Sequence, residues 1–437
     1  MQGTAMSFKA KLWAGLGVVA LMGADANLSP QDGLTLTLNS TYAATKAGEG
    51  GEGGEGGGEG GASLPSSFKL NSTDPNAFQY DASAQVKAYA ELVQDSYASA
   101  HAAAKDMQKA IDAFLARPNA ETLTAARNAW ITARIPYLQT EAFRFYDGPI
   151  DLTAEGEDGP EGRINAWPLN EAFIDYVKNS PKSGIVNDRK IKLTREAILE
   201  RDQVSDEADV TTGWHAIEFL LWGQDLSENG PGNRPASDYL PGKGTNDRRR
   251  LYLMTITGML VQDLADLAAA WAPDGDTYGK KFLALDQREA LGRTFAGLAS
   301  LAGYELMSER LQVALDSGDQ EDEHSCFSDT TRNDFIYDIR GMRNVWFGDS
   351  QGKDRPGLDA LLAPIDPALT LKISGLLNRA EAHADALPHP FDQVLKAPKD
   401  TPARKNAEAL AVALKDLAEG FAEAGAKLGI LVIIPTE

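Results

Sequence analysis

The stretch Ala82–Leu115, ASAQVKAYAELVQDSYASAHAAAKDMQKAIDAFL, decides the fold. Within it Val86, Tyr89, Val93, Tyr97, Ala100, Ala104, Met107, Ile111 and Phe114 return every three or four residues. At 3.6 residues per turn, that spacing lines one face of a helix. Thr122–Tyr146 repeats the pattern with Leu123, Ala126, Trp130 and Ala133. Pro136 inside it is expected to bend or divide the helix, because proline lacks an amide hydrogen and crowds the preceding turn.

Further along, Asp147–Trp167 is rich in Gly, Pro and acids and reads as a long loop of the kind that is more often functional than idle. Short helices are expected at Leu169–Val177 and Thr194–Glu200, and a compact amphipathic helix at Val210–Trp222. Ser227–Thr245 is a second Gly/Pro-rich break. Beyond it the helical texture returns in Asp247–Trp271 (Leu251, Ile256, Leu260, Leu264, Leu267) and Gln287–Leu315 (Leu291, Phe295, Leu298, Ala302, Leu306). Thr331–Val345, Leu371–Ala386 and Pro402–Ala424 complete the set. The tail LGILVIIPTE, Leu428–Glu437, is the one β-like run, or an extended segment lying in a groove. The expected fold is all-α, as two helical bundles over residues 81–240 and 245–437. No glycine-rich turn links a strand to a helix, so a nucleotide of the Rossmann or P-loop kind has no support.

The N-terminus reads as a signal peptide over residues 1–26. Lys9 and Lys11 precede the apolar run Leu12–Met22, and Ala24-Asp25-Ala26 offers a small-x-small cleavage site. The run is shorter than the roughly 20 residues of a bilayer crossing, so the chain is expected to be exported and not transmembrane. Residues 27–80 read as a flexible tether, since Gly48–Gly61 holds ten Gly and four Glu and nothing else. The net charge of -21 argues against nucleic acid and against docking on anionic membranes, and is compatible with attraction of cations. Cys326 is the single cysteine, which excludes an intrachain disulfide, an Fe–S cluster and a thiolate zinc cluster within the chain; it is expected to be buried or flanked by structure.

The sharpest chemical pattern is Gly213-Trp214-His215-Ala216-Ile217-Glu218. On a helix, His215 and Glu218 sit three apart on nearly the same face. Imidazole and carboxylate together suit divalent metals and non-haem iron, provided a third ligand arrives from elsewhere. The plainer alternative is a carboxylate that hydrogen-bonds a core histidine or a nearby arginine. Neither HExxH nor HxxEH is present, because position 216 is Ala and position 219 is Phe. Glu141 lies among aromatics and needs a partner, either a metal or an arginine such as Arg144 or Arg134. In the acidic run Glu321–Asp329, His324 is a further candidate ligand, while Ser328 or Asp329 could cap the next helix. Arg340 and Arg343 stand one turn apart, placed for a carboxylate or an anion. No GxSxG context for a serine nucleophile occurs.

The motifs GWHAIEFLLWGQDL from Gly213, TEAFRFYDGPID from Thr140, INAWPLN from Ile164 and DEHSCFSDTTRNDFIYDIRGMRNVWFG from Asp322 resemble the imelysin family, also described as peptidase family M75 or iron-regulated protein A-like. The family pattern GxHxxE falls on Gly213, His215 and Glu218. The resemblance implies two bundle-like domains related by duplication, with the motif near their interface. It also implies an exported bacterial protein, periplasmic or attached to the outer membrane, linked to iron uptake. On that basis His215, Glu218, Glu141 and His324 are the expected metal contacts. The expected ligand is iron or a small iron complex, with zinc as the alternative metal, and a transport or outer-membrane protein is a possible partner. The alternative functions are a metallopeptidase of M75 type and a non-enzymatic haem- or protein-binding module.

Overall fold

The computed structural model describes residues 17–19, 67–70, 78–227 and 229–436. The signal peptide and tether expectations fall outside the described residues, apart from Gly17–Val19 and a few residues from Ser67 onward. One of those corrects the tether. Phe68 is 1 % exposed, and its ring fills the space beside Gly292, where a Cβ would lie 2.3 Å from it. Phe68–Leu70 pairs antiparallel with Ile430–Val432, and Gly17–Val19 with Ile434–Thr436. The β-like tail is therefore strand, with the buried-exposed alternation of Phe68 and Lys69 matching its period of two.

The helices that matter are α1 (Ser83–Ala116), α2 (Ala120–Leu138), α3 (Gly213–Trp222), α4 (Asn246–Ala270), α5 (Gln287–Ser300), α6 (Thr331–Phe347), α7 (Pro367–Asp385) and α8 (Pro402–Lys427). The fold is all-α, with only short strands. All nine periodic residues of α1 are buried. A capping box starts α2: Asn119 Oδ1 accepts from the amides of Glu121 and Thr122, and Thr122 Oγ1 accepts from the Asn119 amide. Pro367 and Pro402 open α7 and α8 at their first turns, where the missing amide costs nothing.

Three expectations need correction. The second helix stops at Leu138, two residues past Pro136, because Thr140 Oγ1 captures the Tyr137 carbonyl at 2.6 Å and the chain turns into a 3-10 turn at Glu141–Phe143. Leu251 faces outward at 42 % exposure, while Ile256, Leu260, Leu264 and Leu267 are buried. Residues 246–270, assigned to the second bundle by the break before them, pack instead on α1 and α3. Within that group α1 lies along α2 and α4, and α3 lies between α2 and α4. The other group is α5 to α8, with α8 against α5 and α7, and α6 against α7. The two groups meet where α2 touches α6, and one continuous hydrophobic core runs through both. By length and composition α4 is apolar enough to cross a membrane, but it is laid along α1 within this core.

After α5 the helix widens into π-type turns over Leu301–Gln312. Such turns place residues five apart on one face. Glu305 and Arg310, five apart, are bonded at 2.9 Å.

Candidate metal centre at the meeting of the two helix groups

Gly213 begins α3 with a φ of +83°, and a Cβ there would lie 2.3 Å from the Ile164 carbonyl oxygen. Only glycine tolerates both the backbone angle and the close approach. The Trp214 carbonyl is fixed by Trp130 Nε1 at 3.0 Å, and the Thr212 hydroxyl donates to the Arg163 carbonyl at 2.8 Å. One residue later, His215 points into a fully enclosed polar seam.

His215 and Glu218 converge as their spacing demands, with Nδ1 of the histidine 2.9 Å from Oε2. On the far side, Nη2 of Arg134 lies 3.3 Å from His215 Nε2. A guanidinium has only protons to offer, so Nε2 must present its lone pair and Nδ1 must carry the ring proton. That proton is donated to Glu218. The other oxygen of Glu218 accepts from the Ser328 amide at 2.9 Å and its hydroxyl at 2.6 Å. His324 reaches the same guanidinium, with Nδ1 3.3 Å from Arg134 Nη2 and 3.0 Å from Asp334 Oδ2. The shorter, carboxylate contact takes the Nδ1 proton. Asp334 also accepts from the Ser325 hydroxyl at 2.6 Å and from Arg134 Nε at 3.2 Å, and Asn165 accepts from Arg134 Nη1 at 2.8 Å.

The two imidazole rings lie 4.6 Å apart, centre to centre, with the Trp167 ring 4.9 Å from His215. Each is backed by a carboxylate, the arrangement that orients metal-binding histidines. Burial, then Arg134 and His324, holds His215 well below the usual imidazole range; burial, then Arg310 and Arg134, does the same to His324. Both rings are therefore neutral near pH 7 and have a lone pair to give. Burial pushes the Glu218 carboxyl up to about 8 against the hydrogen bonds from Ser328, so this pair takes up a proton readily near neutrality.

Glu141 sits beside this seam in a network of its own. Oε2 accepts from Arg144 at 2.9 Å and Arg310 at 2.7 Å, and Arg310 continues to Asp338 at 2.8 Å. Burial alone would raise the Glu141 carboxyl, but Arg144 and Arg310 bring it down to about 2. Its second oxygen, Oε1, is buried without a hydrogen-bond partner, and His324 contributes to its electrostatics. The four residues singled out from the sequence thus gather in one region, but not around one point: Glu218 is spent on His215 and Ser328, and Arg134 lies between the histidines. The donors left over are His215 Nε2, the second nitrogen of His324 and Glu141 Oε1. Two nitrogens and a carboxylate oxygen are donor types suited to iron or zinc, but these three do not all come within 4.8 Å of one another. Cys326 is buried, and Arg340 and Arg343 both bind Glu381.

The imelysin family model, peptidase M75, matches residues 93–420, which includes every residue of this seam. The chain belongs to the imelysin family. Iron-regulated protein A of Synechococcus elongatus is 24 % identical over 339 residues, covering 75 % of this chain and 82 % of that protein. The crystal structure of an iron-regulated protein A precursor from Parabacteroides distasonis has a TM-score of 0.63 at 19 % identity, covering 81 % of this chain and 97 % of that one. An imelysin-like protein from Psychrobacter arcticus has a TM-score of 0.54 at 14 % identity, covering 78 % and 95 %. The two solved structures share the fold of this chain.

Sequence reading missed Asp334, Asp338 and Arg310, and gave Arg134 to Glu141 rather than to Asp334. A signal was there. Asp334 and Asp338 stand four apart on the inward face of α6, among Phe335, Ile339 and Met342, where a carboxylate without a partner is costly.

Proposed function

We propose that this imelysin-family chain is an exported iron-handling protein of the bacterial periplasm, which takes iron or a small iron complex into the seam between His215 and His324. One observation carries the reading: two neutral imidazoles, each held by a carboxylate, lie 4.6 Å apart in one buried seam. Arg134 stands against His215 Nε2 and would have to move for a cation to reach that lone pair. His215, His324 and Glu141 would hold the ion, and Glu218 and Asp334 would orient the rings rather than bind directly. Zinc suits the same donors. Glu218 is directed at His215 Nδ1 and Ser328, not at an open space where a water would be activated, which favours binding over hydrolysis. The acidic surface favours arrival of cations, and the apolar N-terminal run favours export.

The test is metal analysis of the purified protein, with titration of ferrous and zinc ions. His215→Ala and His324→Ala should each lower affinity at least tenfold with the helical circular dichroism unchanged. Undiminished binding in both variants would refute the site. Cell fractionation should recover the mature chain from the periplasm.

A further inference from the structure

Several of the buried acids among the described residues are paired with arginine. Glu141, Asp175, Asp263, Asp334 and Asp338 each have an arginine within ion-pair distance. Asp225, Asp329 and Asp392 are just as buried, at 2 %, 2 % and 1 % exposure, and carry oxygens that all lie within 4.8 Å of one another. Among the described residues neither Asp225 nor Asp329 has a basic partner. The Asp225 carboxylate accepts from the Ser227 amide through Oδ1, and the Asp225 and Asp329 carboxyls lie within hydrogen-bond reach of each other, a contact that requires a shared proton; Oδ2 of each has no other partner among the described residues. The groups that raise the Asp329 carboxyl to about 8 are burial, then Asp225 and Asp392, and Asp225 is likewise pushed up, to about 6. Glu323, at 1 % exposure, hydrogen-bonds Asp392 and adds a fourth acid to the surroundings. Five buried acids are paired with arginine, Glu218 is held by His215 and Ser328 and Asp209 by Asn170, whereas Asp225 and Asp329 are gathered with Asp392 and face no such side chain. Desolvated like charges at this spacing repel strongly unless protons or a cation intervene.

We propose that Asp225, Asp329 and Asp392 form a second cation site, for a hard divalent ion of the calcium or manganese class, distinct from the histidine seam. Carboxylate oxygens without nitrogen or sulfur select such ions, and calcium, with bonds of about 2.3–2.6 Å, spans oxygens up to roughly 5 Å apart. An approach is present: Asp225, with Gln224, Ser227 and Gly232, lines a solvent-facing cavity of about 360 Å³. The ion would tie together the loop after α3, the turn before α6 and the start of the short helix Asp392–Leu395. Asp329 adopts a left-handed backbone at φ +58° directly after Ser328, the residue that holds Glu218. Filling this site therefore fixes the seat of the family's glutamate without touching it.

The experiment uses the whole mature chain stripped with chelator, titrated with calcium or manganese chloride at pH 7.5 by calorimetry and thermal unfolding. The expected result is saturable binding with a rise in melting temperature, retained in His215→Ala. The double variant Asp225→Asn/Asp329→Asn should bind at least tenfold more weakly. Metal-free, it should melt no lower than the parent, because the repulsion is gone, which shows that it folds. Failure of the folded parent to bind calcium, magnesium or manganese at millimolar concentration would overturn the proposal. So would binding that the double variant leaves unchanged, or binding that His215→Ala abolishes.

Discussion

Gly213→Ala tests how the GxHxxE motif is built. The left-handed backbone at this position costs an L residue about 1–2 kcal/mol. A Cβ would stand 2.3 Å from Ile164 O, 2.7 Å from Ile164 C and 2.8 Å from Arg163 O, all backbone atoms that cannot swing aside. Restoring an ordinary contact requires the start of α3 to retreat by roughly 1 Å. That retreat pulls on the bonds from Trp130 to the Trp214 carbonyl and from Thr212 to the Arg163 carbonyl. Two buried hydrogen bonds are worth about 1 kcal/mol each, so with the strain the loss comes to about 3–4 kcal/mol. Urea unfolding followed by circular dichroism reads it. Gly258→Ala is the control: it lies mid-helix in α4, its nearest contact would be 3.7 Å away, and the substitution should stabilise by roughly 0.5–1 kcal/mol. His215 rides on the displaced turn, so iron affinity should fall at least tenfold in Gly213→Ala alone. A stability loss below about 1 kcal/mol would refute the steric account of the motif.

The Glu218 carboxyl is raised on folding, so its stabilising protonated state is fully present below pH 4.5 and lost as pH climbs through about 8. Metal-free protein should therefore weaken between pH 5 and 9, and Glu218→Gln should flatten that decline by up to about 4 kcal/mol in denaturant melts. Asp175 accepts from Arg234 at 2.7 Å and from Arg249 at 2.5 and 3.0 Å. Asp175→Ala strands two buried guanidiniums and should cost about 3–5 kcal/mol, read by the urea midpoint. Arg134→Gln removes the charge standing between the histidines. Iron should bind several-fold tighter in titrations, while unfolding becomes easier because Asp334 loses its ion pair; weaker binding would count against charge repulsion by Arg134 as the barrier to a cation at His215 Nε2.

Much of this was legible in the chain itself, because helical periodicity is a local property. The inward face of α1 and the convergence of His215 with Glu218 follow from 3.6 residues per turn and nothing more. The family resemblance, read on contiguous motifs, was equally accessible. What spacing could not supply was the choice of partner across long distances in the chain. Arg134 is 200 residues from Asp334 and meets it only because α2 crosses α6. The same holds for the trio Asp225, Asp329 and Asp392, each of which reads alone as a loop acid or a cap. Leu251 shows the reverse failure: a residue in step with its helix face lies beyond the edge of the buried stripe. The π-type turns at Leu301–Gln312 were hidden because a shift from four- to five-residue bonding leaves no mark in composition.

The pairing of Phe68–Leu70 with Ile430–Val432 brings a segment ahead of α1 beside the strand that follows α8, about one strand spacing apart. Any load applied through the chain ahead of Phe68 would reach this small ribbon before it reached a helix. Antiparallel partners pulled from one end separate bond by bond, so the ribbon would yield first and leave the helices, and the histidine seam they enclose, mechanically insulated.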